Sequence, residues 1–356
     1  MKIREMRSDL LSGKTGRYNS ITDVKGVKVG HSCVWTDEPH IQRTGATVII
    51  PHSGDIFSEG VYAHTSVMNG FGILTGRDSI NELGLLTSPV VLTNTRSVGM
   101  GYEAVMQYFQ KVSRRDYDLP LPVVGECDDS YLNDYRGPPV PLEKFEEALK
   151  NAKSTNVEEG AVGAGTGMGL YDFKGGIGSS SRVININGRK YTLGVLLNAN
   201  YGSRHQLSIF GRKPFASEES GPAKDGSCLG VLATDAPVTP EILGRLSRRM
   251  GLGLARTGSV ANNSSGDIFI AFSTWNKVKM DPFSIDSVLI KGSGRNASNV
   301  ELISRDDINR MFEATVDATE EAALNALFQA ETTKGYDDHI LEGFSKTRHV
   351  EKLGLF

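Results

Sequence analysis

A run of polar residues, Asn262-Asn263-Ser264-Ser265-Gly266-Asp267, leads directly into the apolar segment Ile268-Phe269-Ile270-Ala271-Phe272. A serine at the mouth of a buried strand is held rigidly, with its hydroxyl aimed in a fixed direction. That placement suits a nucleophile, provided a neighbouring base takes its proton. It suits an ordinary turn as well, and the local residues do not choose between the two. The GxSxG spacing is absent around Ser265, so an α/β-hydrolase elbow is not supported. Metal chemistry is not expected: the seven histidines are scattered, His31-x-Cys33 is the one close pair of soft ligands, and neither HExxH nor CxxC occurs. The glycine loop Gly163–Gly169 lacks both GxGxxG and a closing Gly-Lys-Ser/Thr, so it reads as a tight turn and not as a nucleotide cradle.

Short β segments and a few helices must position these residues. Val24–Gly30 alternates around glycines, Ala46–Ile50 is a compact buried run, and Val90–Thr93 delivers Asn94 and Thr95 to its end. Residues 61–88 are punctuated by glycine turns. Helices are expected over Gly99–Val112 and Leu142–Ala152, with an irregular Pro-, Asp- and Tyr-rich loop over 115–142. Residues 161–169 and 175–181 read as glycine/serine loops. Arg182–Asn187 and Lys190–Ala199 read as a hairpin around Asn187-Gly188. A polar loop over 212–228 precedes a strand at Leu229–Thr234. The next helix opens with Thr239 as N-cap and Pro240 in the first turn, and buries Ile242, Leu246, Met250 and Leu254 on one face. The last helix is expected from Ser304, an N-cap with Asp307 three residues on, to Gln329. Strands alternating with helices predict layered sheets flanked by helices, with no internal repeat and no domain linker.

Composition narrows the classes of partner. Of 356 residues, 39% are hydrophobic and 23% charged, which is ordinary for a soluble chain with a substantial core. The net charge of -3 and the lack of a basic face argue against nucleic acid. Three widely spaced cysteines (Cys33, Cys127, Cys228) form no disulfide framework, so a cytoplasmic location is expected. With a polar opening segment and no eighteen consecutive apolar residues, neither a signal peptide nor a membrane span is expected.

Several segments, taken in order, resemble one family. Arg256-Thr257-Gly258 followed by Ser264–Thr274 is similar to the core signature of the L-aminopeptidase/D-amidase-esterase family, which includes the β-aminopeptidases. Ile21–His31, Leu92–Thr95, Asn198–Gly202, Ala233–Pro237 and Ala318–Ala322 match as well, so the likeness covers roughly residues 15–340. The resemblance implies a single αββα four-layer sandwich, like N-terminal nucleophile hydrolases but with a different connectivity. It implies a precursor that cuts itself between Ser264 and Ser265 into an α part (1–264) and a β part (265–356). Ser264 stands where many relatives have glycine, which leaves Asn263–Ser264 as a second cleavage position.

On this resemblance Ser265 is the nucleophile of a serine aminopeptidase or amidase acting on small peptides, amides or esters, without metal or cofactor. The freed α-amine, with a pKa of about 7.7–8.0, could act as its base, a role worth about 10²–10⁴-fold. The sequence leaves open whether the amine or a side chain does so. Thr319 and Glu321 match the family's assisting hydroxyl and glutamate. Two residues apart on a regular helix do not share a face, so a helix end or distortion is expected there, with Glu320 as the fallback. Asn200 matches as oxyanion donor, a role worth roughly 3–4 kcal/mol, although a turn-forming Asn beside Gly202 fits too. Tyr131, Asn133 and Asp134 fall in a substrate-pocket segment, where a carboxylate could hold the substrate's ammonium. Assembly as a homo-oligomer, possibly a tetramer, is implied. The alternatives are acyl transfer, as in the related ornithine acetyltransferases, and a non-cleaving scaffold.

Overall fold

In a computed structural model, residues 2–113, 119–216, 226–280, 303 and 307–354 are described. The strands are β1 Lys28–Thr36, β2 Gln42–Ile50, β3 Glu59–Gly70, β4 Leu85–Leu86, β5 Val90–Asn94 and β6 Val123–Cys127. They continue with β7 Gly169–Leu170, β8 Phe173–Lys174, β9 Gly176–Ile186, β10 Arg189–Asn200, β11 Ser227–Thr234 and β12 Gly266–Lys279. The helices used below are α1 Ile3–Met6, α2 Arg77–Leu83, α3 Val98–Val112, α4 Leu142–Asn151, α5 Pro240–Arg256 and α6 Ile308–Gln329.

Two sheets carry the architecture. One has four strands in the order β1-β2-β5-β6, the other six in the order β4-β3-β12-β11-β10-β9. Each contains one parallel pair, β5 with β6 and β11 with β12. A parallel pair needs a long crossover, and the helices α3 and α5 supply it. One apolar core joins Leu196, Leu229, Val231, Ile268 and Ile270 of the larger sheet to Val48, Val91 and Val124 of the smaller. The alternate residues of the larger sheet, among them Leu197, Leu232, Phe269 and Ala271, pack instead beneath Leu246, Met250 and Leu254 of α5 and Ala318 and Ala322 of α6. Helices α3 and α4 contact the smaller sheet. The layers therefore run α–β–β–α, as the resemblance implied.

Three local expectations are corrected. The stretch expected as an irregular loop contains β6, because Val123–Cys127 is wholly buried against β5. Residues 176–181 are the first half of β9 and not a loop. Glycine and serine are poor strand formers in isolation, but here smallness is what the packing demands. A Cβ at Gly178 would lie 1.9 Å from the Ala322 carbonyl of α6. The adjoining hydroxyls are all engaged: Ser179 donates to the Val195 carbonyl (2.7 Å), Ser180 to the Ala318 carbonyl (2.6 Å) and Ser181 to Asp23 (2.7 Å). The glycine-punctuated stretch 61–88 holds most of the twelve-residue strand β3, all of helix α2 and the short strand β4.

Helix α5 starts at Pro240 as expected, yet Thr239 makes no side-chain capping bond. Its expected stripe holds, with Leu246, Met250 and Leu254 buried and Ile242 partly so. The hairpin turns at Asn187 (φ 51°) and Gly188 (φ 82°), the left-handed pair a type I′ turn needs. Ser304 lies outside the described residues.

Candidate active site

The head of β12 is fastened from several sides. Residues 257–264 return the chain from α5 to the strand, and the Ser265 N–H donates to the Asn262 carbonyl (2.9 Å), closing a turn over Asn262–Ser265. Asn69 of β3 donates its amide to the carbonyls of Asn262 (2.5 Å) and Ala261 (3.4 Å), while Gln206 donates to the Asn262 side chain (3.0 Å). The Ser265 carbonyl accepts from Phe71 N–H (3.3 Å), and Gly266 N–H donates to the Gly226 carbonyl (3.1 Å). A β-bulge in β3 falls between the partners of Asp267 and Ile268, a feature that often re-aims side chains beside active sites.

Within this frame the Ser265 side chain is buried, and among the described residues its hydroxyl has no hydrogen-bond partner. The same holds for both oxygens of Asp267. Asp267 shares a strand face with Phe269 and Ala271, so it points toward the α5 side, next to Cys228 in the register. Burial pushes its carboxyl up to about 6, and the nearby Ser265 hydroxyl moderates that rise without the geometry of a hydrogen bond. Buried polar groups are nearly always satisfied, so two orphaned groups two residues apart call for a chemical explanation.

The ends of β5 and β6 form a facing wall. Glu126 accepts from the Ile73 N–H (3.0 Å) and from the Thr95 hydroxyl. Burial raises its carboxyl above the usual range. A Cβ at Gly72 would lie 3.2 Å from Gly266 Cα and 3.3 Å from Glu126 Oε1. Only a missing side chain therefore separates this carboxylate from the head of β12. Asn94 donates to one oxygen of Asp129 (3.1 Å), whose other oxygen has no partner among the described residues; burial pushes that carboxyl up to about 7.

Asn200 lies in one row of the larger sheet with Ser227 and Gly266, two strands and about 10 Å from the head of β12. Its side chain is anchored: Oδ1 accepts from Gly169 N–H (2.8 Å), and Nδ2 donates one hydrogen to the Asp128 carbonyl (2.8 Å). Asn198, two residues back on the same face, is fully buried with neither amide atom partnered among the described residues.

The other expected residues have structural partners. Tyr131 stacks on His339 (4.2 Å, 5°), Asn133 accepts from Arg43 N–H (2.9 Å), and Asp134 bonds His40 (2.8 Å) and Arg136 N–H (3.0 Å). Thr319 donates to the Thr315 carbonyl (2.7 Å) within continuous α6, against Gly253 of α5. Glu321 accepts from Arg4 (2.7 Å) and Asn19 (2.6 Å) and pairs with Arg182 (2.8 Å). The expected helix distortion is not seen, and neither residue is hydrogen-bonded to Ser265. Glu320, the fallback, pairs with Arg256 (3.1 Å). Glu126 was missed because its strand was read as loop, although a single charge within Val123–Cys127 was the available signal.

The model of Peptidase family S58 matches residues 19–341. Beta-peptidyl aminopeptidase BapA of Sphingosinicella microcystinivorans is 37% identical over 93% of this chain and 86% of that protein. Among solved structures, the Burkholderia sp. beta-aminopeptidase is 36% identical, covering 99% of this chain and 98% of that one, with a TM-score of 0.90. The L-aminopeptidase D-Ala-esterase/amidase of Ochrobactrum anthropi, described as a new variant of the Ntn hydrolase fold, is 37% identical over 98% of this chain and 96% of that one, with a TM-score of 0.86. The chain is thus a hydrolase of the serine aminopeptidase kind, and it belongs to Peptidase family S58.

Proposed function

We propose that the chain cuts itself between Ser264 and Ser265 and then, with Ser265 as its new N-terminal nucleophile, releases N-terminal residues from small peptides, amides or esters. The observation that carries this is the buried Ser265 hydroxyl at the head of β12, without a partner among the described residues, at the close of the turn Asn262–Ser265. Ser264 is only partly buried and precedes the strand, which favours Ser265 over the cut at Asn263–Ser264.

In turnover, the Ser265 hydroxyl attacks the substrate's first carbonyl and its freed α-amine takes the proton. That amine exists only after the cut. Glu126 is placed to receive the substrate's ammonium, in the role the sequence gave to Asp134. Donors to the oxyanion would come from the free Nδ2 hydrogen of Asn200 and the amide of Asn198. The relatives' names, beta-peptidyl aminopeptidase and L-aminopeptidase D-Ala-esterase/amidase, point to β-aminoacyl and short α-aminoacyl amides as first substrates. They favour hydrolysis over acyl transfer or a silent scaffold. A cytoplasmic homo-oligomer completes the proposal; among the described residues no helix is long and apolar enough to cross a membrane.

A denaturing gel with N-terminal sequencing is the direct test. Two fragments are expected, the smaller beginning at Ser265, and Ser265→Ala is expected to stay whole and to hydrolyse no aminoacyl p-nitroanilide. A different new terminus, or turnover by Ser265→Ala, removes Ser265 from its role.

A further inference from the structure

The glycine loop over residues 163–169 is held by a buried cation. Lys174, the last residue of β8, is fully buried, and its ammonium donates to the carbonyls of Gly165 (2.9 Å), Met168 (2.7 Å) and Gly175 (2.9 Å). Three acceptors take up its three N–H bonds. Burying an amine is costly, and methionine would fill the same space, so the cation asks for a task.

We propose that Lys174 is a positioning residue for the oxyanion donor, aiming the Gly169 N–H at Asn200 by holding the Met168 carbonyl. This rests on the role given to Asn200 above and adds the residue that sets its amide. The Met168 carbonyl and the Gly169 N–H belong to one planar, trans peptide unit, so they point in opposite directions. Lys174 and the Gly175 N–H (2.9 Å) hold the oxygen. On the other side of the plane the N–H reaches Asn200 Oδ1 (2.8 Å).

The orientation of Asn200 follows from what each neighbour can do. An asparagine amide carries an acceptor on one arm and donors on the other, and a half-turn exchanges them. The Gly169 N–H can only donate and so demands Oδ1, while the Asp128 carbonyl can only accept and so demands Nδ2 (2.8 Å). Together they select one orientation and leave a single Nδ2 hydrogen unclaimed among the described residues, on a side chain that is only partly buried. The loop itself has no room to shift as a body. A Cβ at Gly167 would lie 2.2 Å from the Arg43 carbonyl of β2, and one at Gly165 would lie 2.5 Å from the Ile177 nitrogen of β9. What remains free to move is the Met168–Gly169 plane, and turning it would give up the bond from Lys174.

The test is turnover of an aminoacyl p-nitroanilide, expressed per chain cut at Ser265. Lys174→Met keeps the bulk and removes all three donors. It is expected to lower kcat about 10- to 100-fold and to leave KM within about twofold, as a misaimed transition-state contact implies. Asn200→Ala is expected to lower kcat by about 10²–10³-fold. Adding Lys174→Met to Asn200→Ala should cost no more than about twofold further, since no amide is left to aim. A lysine that serves packing alone would instead multiply its loss onto that of Asn200→Ala.

A second chain guards against misfolding of Lys174→Met. Glycolic acid in place of Gly169, introduced during cell-free synthesis, exchanges the N–H for an ester oxygen and weakens the Met168 carbonyl as an acceptor, so both ends of the link are loosened. The same kcat loss and the same non-additivity with Asn200→Ala are expected, and this chain decides the matter should Lys174→Met not fold. A variant that folds but stays whole is judged by its crystal structure, where the Asn200 amide should have turned from the Asp128 carbonyl.

Wild-type kcat in Lys174→Met or in the ester chain overturns the proposal, and so does a full multiplicative loss in the double variant or an unmoved Asn200 amide. Failure of the underlying reading looks different: Asn200→Ala then keeps its kcat, and the proposal falls with it.

Discussion

Two buried carboxylates in this molecule have opposite surroundings. Burial alone would raise both. At Glu321 that effect is outweighed by Arg4, Arg182 and Asn19, and the carboxyl ends below its usual range. At Asp267 nothing outweighs it, and the carboxyl sits at about 6. The first carboxylate closes an ion cluster that ties α1 and β9 to α6. The second, like the serine beside it, has no hydrogen-bond partner among the described residues. Lys174 shows that hydrogen bonds to carbonyls alone do not outweigh burial: it donates to those of Gly165 (2.9 Å), Met168 (2.7 Å) and Gly175 (2.9 Å), yet burial lowers its amine to about 7. A buried charge with all its partners marks architecture, whereas one left without partners marks a place where chemistry keeps a group available.

The largest expected effect breaks the satisfied side. Glu321→Gln leaves Arg4 and Arg182 without their counter-charge, and removing one member of a buried ion cluster costs about 3–5 kcal/mol. Denaturant melts should show that loss at neutral pH. Because the folded carboxyl lies below its ordinary value, its stabilisation is present above about 4.5 and fades as the pH falls through the lowered value. A neutral-pH melt unchanged in Glu321→Gln would end the claim that the cluster is structural.

Asp267→Asn should do the reverse. An acid raised from 3.8 to about 6 opposes folding once it ionises, at no cost below about pH 4 and at full cost above about 6. Two pKa units correspond to at most about 3 kcal/mol, less whatever solvent screens. In the Ser265→Ala background, which is expected to stay whole, adding Asp267→Asn should therefore raise the melting point at pH 8 and leave it unchanged in acid. A lower melting point at pH 8 would show that Asp267 has partners and belongs with Glu321.

The same contrast separates what the sequence disclosed from what it hid. The apolar run Ile268–Phe272 and its polar lead-in were visible because strand periodicity and turn chemistry are local. So was the Asn187-Gly188 hairpin. Strand β9 was hidden, since the close approach of α6 that makes Gly178 and Ser179–Ser181 favourable comes from residues more than a hundred positions away. Glu321 was legible as a matching residue but not as a partner of Arg4, because the N-terminal segment's docking leaves no periodic trace. Asp267 falls within the signature, and its residue type alone gives it no task. Its significance is an absence of partners, which only three dimensions reveal.

The smallest predicted effect concerns another buried carboxylate, Glu126, which stands between the two extremes. It accepts from Ile73 N–H and the Thr95 hydroxyl, and burial still raises it. A substrate ammonium is a partner that would complete the set. Glu126→Gln keeps the shape and removes the charge, and one charge-assisted hydrogen bond is worth about 1.5–3 kcal/mol. The kcat/KM for a free aminoacyl p-nitroanilide should fall by roughly 10- to 150-fold, while N-acetylated substrates, already poor for want of the ammonium, should not change. The acid limb carries the same signature. In the wild type, kcat/KM should drop as the pH falls through a value above the ordinary 4.5, because the protonated acid no longer attracts a cation, and Glu126→Gln should lack that limb. Equal losses on free and acetylated substrates would mean that Glu126 acts through the packing of Gly72 and Thr95, which would place it with the satisfied carboxylates after all.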